Sequence, residues 1–310
     1  MMIYTCTLNP SVDYVVEAQQ IELGKLNRAT KTSYFPGGKG INVSRVLKRL
    51  HIHNIALGFI GGFTGQFIAD ELKREHILTD FITVRGQTRL NIKLKGERET
   101  ETEINGEGPV ISDEHKEALI DKIKQLKKGD ILVLAGSLPP SIDDTFYVMM
   151  MEEAKKRKVA VVVDTSGSAL KQAIAYEPFL LKPNQMELGE LFGVSIHSRD
   201  QIIEYGKKLI DNGVQHVIVS LAGDGAILFH KDVILIAQAP KGMVKNSVGA
   251  GDSMVAGFLA AYVNEAPLEE AFRYSVAAGS ATAFSEDLCT EDEVYRLLEQ
   301  VTIIRMEDCV

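Results

Sequence analysis

From Ser112 onward the chain alternates helical stretches with short runs built mostly from Val, Ile and Leu. The runs are Ile131 to Ala135, Val159 to Val163, Phe179 to Leu181 and Val217 to Val219. A strand with no polar face must be covered on both sides, and helices placed between such strands cover them. The pattern therefore predicts an α/β fold whose central, mostly parallel sheet is flanked by helices on both faces. Helices are expected over about Ser112 to Leu126, Asp143 to Lys156, Ser198 to Asn212, Leu268 to Phe284 and Glu291 to Leu298. Ala226 to Phe229 and Val233 to Ala237 read as a hairpin, and Ile3 to Leu8 as a first buried strand. Ligands on such sheets bind at the carboxyl ends of strands. The loops opening at Gly136-Ser137 and at Asp164 face that edge, and so does the turn carrying Asn9 and Asp13.

The first hundred residues follow another rule. Arg89 to Leu94 alternates polar with apolar residues, the sign of a sheet with one wet face. Val12 to Val16, Lys31 to Phe35 and Glu99 to Ile104 read as further short strands outside the main repeat. They predict a small β lid, contributed by about 12–35 and 88–105, on a body spanning 1–310.

Three stretches carry candidate chemistry. Asn246 to Phe258 reads NSVGAGDSMVAGF, a glycine turn running into a buried apolar helix. Free N–H groups and the positive end of the helix dipole meet there, which suits a phosphate. Asp252 lies beside them as a candidate base for a hydroxyl. An isolated turn of this kind would more often be a plain helix cap. Pro36 to Val43 reads PGGKGINV. Its glycines admit a ligand close to the backbone, Lys39 supplies a fixed cation, and Asn42 can donate to or accept from a hydroxyl. It lacks the GxxxxGK[ST] spacing of a P-loop. In Lys182-Pro183-Asn184-Gln185-Met186-Glu187, Asn184 and Glu187 share a face at a helix start. That spacing serves either a cap or a metal-bound water.

Composition excludes several classes. A formal net charge of −8 argues against nucleic acid as the main partner. No apolar run approaches the roughly 20 residues that span a bilayer, and the first residues lack a signal-type core, so a cytoplasmic protein is expected. Cys6, Cys289 and Cys309 form neither a disulfide framework nor a metal knuckle. No GxGxxG follows the first strand, which disfavours a dinucleotide-dependent oxidoreductase. Residues 1–100 carry a balance of +5 and the rest −13. The basic share falls in the part holding PGGKG, which favours an anionic small molecule there over a merely solvated face.

Taken together, the motifs resemble the phosphofructokinase-B, or ribokinase-like, family of sugar kinases. NSVGAGDSMVAGF is similar to its second signature and PGGKGINV to its first, with Asn9 and Asp13, Lys182 to Glu187, and Ser220 to Gly225 in the family's order. The resemblance covers essentially the whole chain. It implies ATP and Mg²⁺ as cofactors and a phosphorylated ketohexose as acceptor. Asp252 would be the base, with Gly249, Ala250 and Gly251 stabilising the moving phosphoryl group. Asp13, Gly37, Gly38, Asn42 and Ser137 would meet the sugar, and Lys39, Arg89 and Lys25 its phosphate. Lys182, Asn184, Ser220, Leu221, Ala222, Gly223, Asp224, Gly225, Ser247, Val248 and Gly279 would surround ATP. Glu187, with Asn184, would sit near magnesium. The acceptor implied is fructose 1-phosphate, with tagatose 6-phosphate or fructose 6-phosphate as the alternative. A sugar-phosphate sensor on the same scaffold is the non-enzymatic alternative, and a homodimer through the lid is a further expectation.

Overall fold

A computed structural model of the chain describes residues 1–96 and 101–306. Strand β1 (Ile3–Thr7) lies inside a large sheet, and β2 (Ser11–Glu17) and β3 (Lys31–Gly37) begin a smaller one. Strands β4 (Asn54–Ile60), β5 (Leu78–Thr79) and β6 (Ile82–Thr83) return to the large sheet. Strands β7 (Arg89–Lys95) and β8 (Glu101–Asn105) complete the small one. The large sheet then takes β9 (Ile131–Ala135), β10 (Ala160–Asp164), β11 (Leu180–Leu181) and β12 (His216–Ser220). Its last members are β13 (Ala226–His230), β14 (Val233–Gln238) and β15 (Thr302–Met306). The spatial order is β15-β14-β13-β12-β11-β10-β9-β1-β4-β5, with β6 also paired to β4. Pairing is parallel from β12 across to β5 and antiparallel from β12 out to β15.

Side-chain alternation along β9 shows why its sequence had to be apolar throughout. Leu132 and Leu134 point into one core with the helices Asp113–Ile123 and Thr145–Lys156. Ile131, Val133 and Ala135 point into a second core with Lys39–Arg49, Ala250–Val263 and Leu268–Ala283. Local chemistry sets the helix starts. The Ser112 and Ser198 side chains accept from the amides of His115 and Gln201, supplying acceptors that the first turn lacks.

Four strands escaped the sequence reading: β4, β15 and the two-residue β5 and β6. β4 contains Gly58, and its run into Gly61 and Gly62 reads as a loop. Here a Cβ at Gly58 would lie 2.0 Å from the Thr7 carbonyl oxygen, so close strand packing requires the glycine. β15 is half exposed at the sheet's edge and carries Arg305 among its apolar residues. The strand expected from Glu99 is seen from Glu101 onward; its start, like Cys309, lies outside the described residues. Cys6 and Cys289 are buried free thiols.

The small sheet runs β3-β2-β7-β8. Its register gives it two unlike faces. One row crosses Phe35, Asp13, Asn91 and Asn105; the next row on the opposite face crosses Tyr34, Tyr14, Ile92 and Ile104. The polar face turns toward the carboxyl ends of the large sheet's strands.

Candidate active site

Four strand ends and three helix starts converge under the polar face of the small sheet. Thr7 ends β1, Gly136 and Ser137 follow β9, and Asp164 and Ser220 end β10 and β12. All line one cleft with Asp13, Lys39, Asn42, Arg89, Lys182, Glu187, Gly249 and Asp252. Most of these residues were named from the sequence alone, although they are scattered over nearly the whole chain.

Asp252 stands in the first turn of the helix Ala250–Val263, where backbone amides have no carbonyl to bond within the helix. Gly249, with φ of 81°, turns the chain into that helix, and a Cβ there would meet Leu288 at 2.5 Å. The Ala250 amide donates to the Ser247 carbonyl at 3.3 Å, so Gly249 and Gly251 are the better-placed donors for an incoming anion. The Asp252 carboxylate is buried and accepts a 2.8 Å hydrogen bond from Asn42 Nδ2. Burial, reinforced by the charge of Asp164, pushes its pKa up to about 6, against the pull of Asn42, Lys39 and Lys182.

Asp164 shows the opposite balance. Burial opposes its charge, but Lys182 and Lys39 outweigh it and hold its pKa below the ordinary range. Lys39 Nζ donates to Asp164 Oδ1 at 2.9 Å and lies 4.0 Å from Glu187 Oε1. Lys182 Nζ is 3.5 Å from Asp164 Oδ2 and would be 2.9 Å from a Cβ at Gly251. Two ammonium groups thus flank one carboxylate beside the helix mouth. Burial disfavours the Lys39 charge, yet Asp164 raises its pKa further. Lys39 therefore stays charged beside the helix mouth.

Asn184 and Glu187 form a reciprocal cap. Asn184 Oδ1 accepts from the Glu187 amide and Glu187 Oε2 from the Asn184 amide, both at 2.8 Å. Capping uses Glu187 Oε2 and leaves Oε1 to the cleft, 4.0 Å from Lys39 Nζ. Among the described residues no group of three or more His, Cys, Asp or Glu could hold a metal ion by itself. Buried Asp164 Oδ2, however, has no hydrogen-bond partner. With Lys182 at ion-pair distance and Glu187 lining the same cleft, this oxygen fits a hydrated Mg²⁺, which keeps several waters and takes phosphate oxygens.

On the sugar side, Asp13 Oδ1 accepts from Ser11 Oγ at 2.8 Å and from Asn91 Nδ2 at 3.1 Å. A Cβ at Gly37 would lie 2.6 Å from Asp13, so that glycine makes room for the carboxylate. Arg89 donates from Nε to the Asn9 carbonyl at 3.1 Å and weakly from Nη1 to Gly106, and burial lowers its pKa. Thr7 Oγ1, Asn9 Oδ1 and Asn91 Oδ1 are buried without partners and, like Asp164, line this cleft. Such orphans are costly unless a ligand satisfies them.

Other named residues lie elsewhere. Lys25 is exposed on the β2–β3 connection, paired with Glu22, and does not line its own chain's cleft. Beyond Ser220, residues Ala222 to Asp224 form an exposed short turn, while Gly225 is buried because β14 passes 2.0 Å from its Cβ position. Gly279 packs its helix against Met254, with a Cβ placed 2.5 Å from Cγ. Ser247 is exposed one residue before the half-buried Val248. The sequence reading missed Ser11, Asn91, Lys93, Glu103 and Asn105 as cleft residues. Their signal was present: Arg89, Asn91 and Lys93 form the polar half of the alternation that identified β7.

The family model of pfkB carbohydrate kinases matches residues 7–293. The chain belongs to the pfkB family. It is an ATP-dependent carbohydrate kinase, and curated relatives match it end to end. A 1-phosphofructokinase of Bacillus subtilis (strain 168) is 53% identical over 98% of this chain and 100% of its own. A D-tagatose-1-phosphate kinase of Bacillus licheniformis is 40% identical over 98% and 100%. Among solved structures, phosphofructokinase-2 from Escherichia coli in complex with fructose-6-phosphate matches with TM-score 0.91 at 30% identity. That match covers 96% of this kinase and 98% of the other chain. No helix among the described residues is long and apolar enough to cross a membrane.

Proposed function

We propose that this kinase transfers the γ-phosphoryl group of ATP to fructose 1-phosphate, giving fructose 1,6-bisphosphate and ADP. The observation that carries the chemistry is Asp252, buried in the first turn of a helix beside the amides of Gly249 and Gly251. The observation that carries the acceptor is the full-length 53% match to a protein named 1-phosphofructokinase.

In this reading the acceptor's free primary hydroxyl oxygen attacks the γ-phosphorus in line. The bond from that phosphorus to the bridging oxygen of ADP breaks, and the hydroxyl proton passes to Asp252. Asn42 holds the carboxylate's orientation through its 2.8 Å bond. Gly249 and Gly251 amides meet the phosphoryl oxygens as charge spreads over them. Lys39 and Lys182 add positive charge on either side of Asp164. Asp13, Gly37, Gly38, Asn42 and Ser137 position the sugar, and Ser220, Asn184 and Val248 face the nucleotide side. Magnesium, when bound, would supply charge to the phosphate oxygens; Glu187 and Asp164 would hold it through water.

The small sheet acts as a lid that excludes water from the transfer. Its apolar face, with Tyr34 and Ile104 each 55% exposed, is suited to a second copy of the lid, so the working form is a dimer. The test of the activity is coupled ADP release with fructose 1-phosphate, fructose 6-phosphate, tagatose 1-phosphate, tagatose 6-phosphate and fructose. Fructose 1-phosphate should have the highest kcat/KM. ADP release indifferent to all acceptors would leave a sensor, and preference for a tagatose phosphate would reassign the acceptor.

A further inference from the structure

Among the described residues, Lys93 is a cation of the cleft to which neither the family resemblance nor the transfer chemistry assigns a task. It sits in the middle of β7, buried, with its side chain 9% exposed. Lys39 donates to Asp164 and Lys182 lies 3.5 Å from it, while Arg89 uses two of its five donors on backbone carbonyls. The Lys93 ammonium makes no hydrogen bond among the described residues. Its nearest carboxylate oxygens are Glu103 Oε1 at 3.6 Å and Asp13 Oδ2 at 3.9 Å, beyond hydrogen-bond reach. An ammonium carries three donors and no acceptor. The two carboxylates balance its charge, but its buried donors are left without close acceptors, which is unfavourable unless something arrives to accept from them.

Position decides what that something is. Lys93 pairs in register with Val15 of β2 and Glu103 of β8, one inward row beyond the row holding Asp13 and Asn91. Asp252, Lys39 and Lys182 gather instead at the helix mouth, around Asp164 and Gly251. Lys93 also lines a neighbouring cavity that shares Asp13 and Asn42 with the first and carries charges of both signs, Lys31 and Lys245 with Glu17 and Glu286. The acceptor has two ends. If its free hydroxyl is at Asp252 and its ring hydroxyls are at Asp13, its own phosphate must lie farther out under the lid.

We propose that Lys93 binds the phosphate already present on the acceptor, and so sets the preference for phosphorylated over free sugars. This rests on the sugar-phosphate kinase reading above. The bland account is that Lys93 only balances the charge of Asp13. The two differ in what they do to phosphate itself. A counter-ion of Asp13 affects every sugar alike and leaves inorganic phosphate indifferent; a phosphate ligand affects both phosphorylated sugar and inorganic phosphate.

The experiment compares wild type, Lys93→Met, Lys93→Gln and Lys93→Arg, each checked for cooperative thermal unfolding. KM for fructose 1-phosphate and for ATP is measured, together with the inhibition constant of inorganic phosphate against the sugar and its Kd by calorimetry. For Lys93→Met and Lys93→Gln the expected result is at least a tenfold rise in KM for the sugar phosphate and in both phosphate constants. KM for ATP should stay within twofold, and Lys93→Arg should recover most of the loss. Unchanged phosphate constants in folded Lys93→Met or Lys93→Gln overturn the proposal, even if sugar KM rises. Wild-type protein that turns over no sugar phosphate overturns the kinase reading instead, and the calorimetric phosphate constants still decide the role of Lys93.

Discussion

A carboxylic acid whose pKa is raised in the folded state is a base held at some cost to the fold. The unfolded chain leaves Asp252 near 3.8, whereas burial and then Asp164 lift it to about 6. Stability from such a shift is present below the lower value and lost as pH rises through the upper one. At pH 7.5 the folded protein therefore carries a penalty of about 1–3 kcal/mol for keeping this charge. Asp252→Asn should remove it. We expect a higher melting temperature than wild type at pH 7.5, with the difference shrinking toward pH 4. The same substitution should lower kcat by about 10²–10⁴ while KM for ATP changes little. A variant neither more stable nor slower would show that the group has no such role. If Asp252 is the base, it must be ionised to accept a proton, and kcat/KM of wild type should fall about tenfold per pH unit below about 6. Asp252 itself was readable as a candidate because a glycine turn before an apolar helix defines an anion site locally. The partnership of Lys39, Lys182 and Asp164 was not. It is made by three distant segments, and nothing local to any of them announces the other two.

At the level of elements, the helix Lys39–Arg49 ties the site to the rest of the molecule. Its first residues supply Lys39 and Asn42, and one turn later buried Arg45 reaches in two directions. Arg45 donates to Glu75 at 2.7 Å and to Asp287 at 2.9 Å, and Arg49 also bonds Asp287 and the Leu288 carbonyl. Leu288 in turn packs over Gly249. Arg45→Met should leave two carboxylates without their main partner. They are partly exposed, so the cost should be about 1–3 kcal/mol, below the 3–5 of a fully buried broken pair. Denaturant unfolding measures it. If the network also holds the glycine turn, kcat should fall severalfold with KM for ATP little changed; an unchanged kcat would confine Arg45 to stability. The helix was legible from Val43, Val46, Leu47 and Leu50 at helical spacing, all of which are buried. The network was not, because an arginine on a helix looks the same in sequence whether it faces water or spans two neighbours. The same limit hid β4. A buried glycine strand and a glycine loop share one vocabulary until the packing neighbour, here the Thr7 carbonyl, is known.

The whole molecule brings Lys25 back into the account. It lies outside its own cleft, on an exposed connection with Leu23 and Leu26, which are 97% and 79% exposed. The apolar face of the lid adds Tyr34 and Ile104, with Tyr14 stacked on Tyr34 at 4.5 Å. Large apolar side chains in one row across four strands are unfavourable in water and suit burial against a second copy. Replacing Tyr34 and Ile104 with lysine together should turn a dimer into a monomer in sedimentation, with loss of turnover if lid closure depends on the pairing. A monomeric wild type at micromolar concentration would remove this proposal. Where the lids do pair, Lys25 has a route to the neighbour's acceptor phosphate that it lacks within its own chain. Complementation separates the two arrangements. Lys25→Ala chains keep Asp252, and Asp252→Asn chains keep Lys25. If the lysine works across the interface, refolding the two together should create one competent site per mixed dimer and restore turnover well above either variant alone. If it works within its own chain, or only pairs with Glu22, mixing restores nothing.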